Sequence, residues 1–220
     1  MPSYIEEINR KSLLTLSILF VCIPIRGVAQ AGAAKTNGMS GPFGFDKGMT
    51  RAQVISLVGE GAVDTVHSRG DLVWLNNAPK PHPAFDSYLL FFSPGHGLVK
   101  VMGSGRTLDV EDDGLSLREA FDEIVKAVEQ EYGEPEKTND FCTGWVECDS
   151  EQFWMMGLLH KNRVLSASWS MEVSTVRQVK YISVQANALK LDKGYLTFAC
   201  EFEGWSQYLS ERKTAGNSSL

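Results

Sequence analysis

Histidine and cysteine are scarce in this chain, with four of each among 220 residues. His67, His82, His96 and His160 form no pair with zinc-ligand spacing, and no His-Glu-x-x-His occurs. Ser104 lies in "MGSGR", which lacks the Gly-x-Ser-x-Gly elbow of serine hydrolases. Gly-His-Gly and Gly-Ser-Gly are followed by no Gly-Lys-Ser/Thr, so they read as turn punctuation and not as phosphate loops. No metal and no cofactor is expected. Positive charge is also short, at 21 Lys and Arg against 27 Asp and Glu. An acidic surface repels phosphate, which argues against nucleic acid and anionic lipid as partners. The apolar run at 13–25, "LLTLSILFVCIPI", holds 13 residues, against the roughly 20 that a helical span of a bilayer needs.

That run fits the apolar centre of a secretory signal. Arg10 and Lys11 precede it, and Ala29-Gln30-Ala31 supplies a small-residue cleavage pattern. Residues 1–31 are therefore expected to be a signal peptide. The mature chain would lie in the periplasm or outside the cell, with no integral membrane span after cleavage. Two alternatives stay open: an uncleaved N-terminal anchor, and lipidation at Cys22, where Val21 replaces the usual small residue. The first 31 residues carry three basic and two acidic side chains, so the remainder carries 18 and 25.

In an oxidising compartment "CTGWVEC" reads as a short hairpin closed by Cys142 and Cys148. Free thiols, or a bridge from either to Cys200, are the alternatives. Cys200 in "YLTFACEF" shares one face with Leu196, Phe198 and Phe202, which predicts a buried thiol.

Residues 32–47, rich in glycine and small side chains, read as a linker that becomes ordered near Phe43 and Phe45. Two helices then begin alike. "GMTRAQVISLVGE" has Thr50 as a cap, Gln53 to complete a capping box, the stripe Val54, Leu57 and Val58, and Gly59 as terminator. "GLSLREAFDEIVKAVEQEYGEP" has Ser116 and Glu119 in the same roles, a stripe through Leu117, Phe121, Ile124, Val125, Val128 and Tyr132, and Gly133 before Pro135. Strands are predicted at 71–75, 85–92, 97–104, 151–159 and 163–171, with a last hairpin turning at "KLDKG". Along 163–171, Leu165, Ala167, Trp169 and Met171 alternate with three serines, the pattern of a strand with one wet face. Runs of consecutive strands after single helices give an α+β fold, an antiparallel sheet with helices on one face. Two αβββ units would build it, one at 48–108 and one at 109–210, ahead of a flexible tail at 211–220.

Gly48, Met49, Thr50, Gln53, Val54, Val58 and Gly59 match the spacing of a signature in the BamE (SmpA/OmlA) family of small envelope lipoproteins, which this stretch resembles. The family usually has proline two residues after the last glycine. Gly61 departs from that, whereas Gly133-Glu134-Pro135 in the second copy keeps it. A tandem pair of such units is similar to the secreted β-lactamase inhibitor proteins. What the resemblance implies is an exported, non-catalytic module that offers a sheet surface to another protein. The rest of the chain resembles a set of bacterial proteins, and that likeness implies no activity.

Asp109, Glu111, Asp113 and Gly114 copy the start of a calcium loop, but its twelfth position is Ala120. The stretch therefore reads as an acidic lead into a helix. His82, in the proline-stiffened "APKPHPAF", Trp145 in the cysteine hairpin and Tyr195 on the outer face of the last strand are the interface candidates. An exported hydrolase assembled from distant loops, or a small-ligand carrier, would need a cleft or a cavity that no motif announces.

Overall fold

The computed structural model describes residues 41–143, 150–171 and 179–217. They form an α+β fold with helices packed on an antiparallel sheet of nine strands. Helix α1 (Arg51–Val58) precedes β1 (Val63–Arg69), β2 (Leu72–Leu75), β3 (Phe85–Ser93) and β4 (Gly97–Gly105). A short β5 (Leu108–Asp109) leads to α2 (Leu115–Tyr132) and β6 (Lys137–Cys142). Then come α3 (Trp154–Leu159), β7 (Arg163–Ser170), β8 (Val179–Lys190), β9 (Lys193–Phe202) and α4 (Trp205–Asn217). The order across the sheet is β1-β2-β3-β4-β9-β8-β7-β6. Two four-strand meanders thus meet along β4 and β9, and the second runs through its strands in reverse.

Each meander carries its helix in the same way. The backbone N–H of Gly48 donates to Leu98 O (2.9 Å), and Leu98 N–H donates to Met49 O (2.8 Å), so the lead into α1 lies along the start of β4. The lead into α2 is β5, which pairs Leu108 with Gly194 and Asp109 with Lys193 at the start of β9.

The capping box of α1 forms as expected: Gln53 N–H donates to Thr50 Oγ1 (3.2 Å) and Thr50 N–H donates to Gln53 Oε1 (2.8 Å). Val54 is the one buried residue of the eight in α1, and Leu57, in its second turn, is 50% exposed. The α2 stripe buries Leu117, Phe121, Ile124 and Val128. At roughly 1.5–3 kcal/mol per large apolar side chain removed from water, this one helix face stabilises the fold by roughly 6–12 kcal/mol.

The expected cap of α2 is corrected. Gly114 is the N-cap, at φ 67°, and no side chain caps the helix in the Ser116 manner. Ser116 is the second residue of the helix, where its hydroxyl donates to Glu111 (2.8 Å), while Asp113 Oδ1 accepts from Leu115 N–H (3.0 Å). The acidic loop therefore serves the helix start, where negative charge opposes the dipole.

Residues 151–159, expected as a strand, form a 3-10 turn and α3. Trp154, Met155 and Leu158 bury at helical spacing, and a short unbroken apolar run does not distinguish the two periods. Residues 211–217, expected as a flexible tail, continue α4, whose Trp205 and Tyr208 dock one turn apart on Phe91. Strand β1 adds a fourth strand to the first unit, and in the second β6 takes the place of the strand expected at 151–159.

Candidate functional site

Strict alternation splits the sheet into two chemically different faces. On the helix side, register aligns Val73, Leu90, Val101, Cys200, Ile182 and Trp169 across the strands, and all are buried. Cys200 is a free thiol there, and burial holds its pKa far above the ordinary range, so it is neither nucleophile nor ligand.

The second face holds the intervening residues. Trp74, Leu89, Met102 and Ala199 stand side by side across β2, β3, β4 and β9. Of these Trp74, Leu89 and Met102 are only half buried. With Ser87, Ser104, Tyr195 and Thr197 they line a shallow hollow of about 200 Å³. Towards β7 the same face turns polar: Ser168 faces Ser183, Ser166 faces Gln185, and Asn139 Nδ2 donates to Ser166 Oγ (3.1 Å). At the β1 edge the Asp64 carboxylate accepts from His67 and Val66, and these bonds, the His67 side chain first, hold it below the usual range. The His67 ring lies 5.7 Å from that of Trp74.

One end of this face is occupied by α4. Phe91 meets Trp205 edge-on at 5.2 Å, and Lys100 Nζ lies 4.5 Å above the Trp205 ring. Tyr208 donates its hydroxyl to Asp71, which also pairs with Arg212 at 3.4 Å. Lys100 and Glu201 neutralise each other at 2.9 Å. Aromatic side chains one turn apart on a helix are thus accommodated by the apolar half of the face.

The sequence candidates separate. Tyr195 lines the hollow on the second face. His82 lies on the helix side, next to α2, and does not meet Tyr195. Trp145 and Cys148 lie outside the described residues. Cys142 is disulfide-bonded. Sequence reasoning passed over Trp74, Leu89 and Met102, treating tryptophans in strands as core. The signal was there: Val73 and Leu75 flank Trp74, so Trp74 had to point to the other side.

Ser93 Oγ and His96 Nδ1 stand 3.3 Å apart, but Ser93 is buried and both belong to the β3–β4 turn, where His96 N–H donates to Ser93 O. A serine so placed presents no nucleophile to a substrate. Among the described residues no three His, Cys, Asp or Glu side chains converge as metal ligands, and no helix is long and apolar enough to cross a membrane. No family model, curated protein or solved structure matches the chain.

Proposed function

We propose that this chain is an exported protein-interaction module that works without catalysis and uses the second face of its sheet. The observation that carries the reading is the half-buried apolar strip of Trp74, Leu89 and Met102 beside Tyr195, left uncovered where α4 ends its contact. An apolar centre rimmed by serine, threonine and asparagine has the anatomy of a protein interface. Its partner is a protein segment carrying apolar or aromatic anchors, docked as α4 already docks beside it. The tandem resemblance to BamE-like units is compatible with such a platform. Export rests on residues 1–31, and the bonded state of Cys142 supports an oxidising compartment, with Cys148 as its proposed partner.

A photo-reactive amino acid at Ser104, within the hollow, tests the reading against one at Lys126 on the outer surface of α2. The Ser104 variant is expected to give a discrete cross-linked adduct in the native envelope, lost on Trp74→Ala; the Lys126 variant gives none. Equal labelling from both positions, or none from Ser104, overturns it. The mass of the recovered chain reports loss of residues 1–31.

A further inference from the structure

On the helix side of the sheet, two hollows of about 370 Å³ each adjoin at His82. The first is floored by Phe43, Phe85 and Phe198 and walled by Ile124 and Val128 of α2. The second is bordered by Ala120 and Glu123 of α2, with Arg106 and Leu196 opposite. One α2 surface thus runs along both, from Ala120 to Tyr132, roughly 18 Å at 1.5 Å per residue.

The walls are rigid. Pro81 and Pro83 fix the backbone on either side of His82. The His82 N–H donates to the Tyr88 hydroxyl (3.3 Å), and Arg106 donates to Pro83 O. Phe43 is held at φ 58°, a left-handed conformation that costs a non-glycine residue on the order of 1–3 kcal/mol. Edge-on packing with Phe85, Tyr88 and Phe198, at 4.8–5.3 Å, keeps its ring in the floor. His82 Nδ1 accepts from Ala84 N–H (3.2 Å), which places the ring proton on Nε2. Burial lowers the His82 pKa, so the ring is neutral at pH 7 and Nε2 is a donor without a charge.

Charge is divided between the walls. The α2 side presents Glu123, and the loop side presents Arg106. A ligand of one sign would match one wall and meet its own charge on the other. An aromatic floor favours a ring, whose edge or face completes the cluster.

We propose that this groove binds a small zwitterion with an aromatic body, the chemical class of the aromatic amino acids. Its ring fills the Phe43–Phe85–Phe198 hollow, its ammonium faces Glu123, and its carboxylate takes the His82 Nε2–H and the Arg106 side. The site lies on the opposite side of the sheet from the protein-binding face and stands whether or not that face has a partner.

Titration calorimetry of the full chain with L-phenylalanine, phenethylamine and 3-phenylpropanoate tests this. L-Phenylalanine is expected to bind at least ~10-fold tighter than either analogue, the factor that ~1.4 kcal/mol supplies. Glu123→Gln removes its advantage over 3-phenylpropanoate. Ala127→Trp, at an exposed helix position bordering the groove, abolishes binding without lowering the thermal midpoint. Failure of L-phenylalanine to bind, equal affinity for all three, or binding that survives Ala127→Trp overturns the proposal.

Discussion

Replacing Gly114 with alanine separates two costs that the structure places on one residue. At φ 67° the αL conformation penalises any Cβ by about 1–2 kcal/mol. A Cβ built there would also lie 2.1 Å from Trp154 Cε3, far inside van der Waals contact. Trp154 has nowhere to go: it is 2% exposed, with the Arg118 and Arg163 guanidiniums 5.5 and 5.6 Å from its ring. Overpacking of this kind costs about 1–3 kcal/mol more. The expected total is about 2–5 kcal/mol, or a midpoint lower by about 4–20 °C for a domain of this size. The control is Gly114→Ala in a Trp154→Ala background, where the ring that the added carbon would meet is gone and the αL cost alone stays. Urea unfolding in both backgrounds, with unchanged denaturant slopes, measures the difference. If Gly114→Ala costs as much in the Trp154→Ala background as in the native chain, the packing of α3 against the start of α2 is wrong.

Thr50→Ala is expected to cost about 1 kcal/mol through loss of the α1 cap, whereas Ser116→Ala, outside the cap, stays within about 0.5 kcal/mol; paired thermal melts decide. Cys200 is expected to resist iodoacetamide in peptide mapping until urea is added, and Cys200→Ser to cost about 1–3 kcal/mol by burying an unpaired hydroxyl; labelling of the native chain at Cys200 refutes its burial. His82 is expected to titrate below 6.5 by NMR, because burial depresses it while Glu123 opposes that, so Glu123→Gln lowers it further. Its folded pKa lies under its unfolded one, so this contribution to stability is complete above pH 6.5 and is lost as pH falls through the folded value. His82→Gln then flattens the acid side of the stability profile, and an unchanged profile counts against the burial of the ring.

The elements legible in the sequence were those whose local chemistry and tertiary setting agree. Thr50 with Gln53, the α2 stripe ending at Gly133, and the serine alternation of β7 each carry a single period and a single terminator. Two kinds of information were not local. Gly114 displaced Ser116 as the cap of α2 because the ring of Trp154, forty residues on, fills the space beside it. Asp113 then offered its carboxylate to the first free N–H. The second loss was at the sites. Tyr195 was visible from alternation, but the neighbours that make it part of a surface come from β2, β3 and β4, and pairing register is not written in any one segment. His82 looked like a presented loop residue; that α2 would close over it depends on how β5 hands the chain to the helix.

The two candidate sites follow from one geometry used twice and then broken. Reversal of strand order about β4 and β9 is what a twofold axis normal to the sheet produces, and the pairing Met102 with Ala199 marks its position. Gly97 and Gly194 each stand five residues before that pair. Each is where its own helix arrives: a Cβ on Gly97 would meet Gly48 O at 2.3 Å, and one on Gly194 would meet Leu117 Cδ2 at 2.6 Å. Such an axis keeps α1 and α2 on one side, which leaves the other face covered only at the end where α4 docks. Symmetry then fails in the helix layer. The eight residues of α1 bury only Val54, whereas the 18 of α2 reach past β9 to the loop that holds His82. The groove is the space between a long helix and the neighbour of a short one. The sheet supplies the broad surface, and the inequality of its helices supplies the pocket.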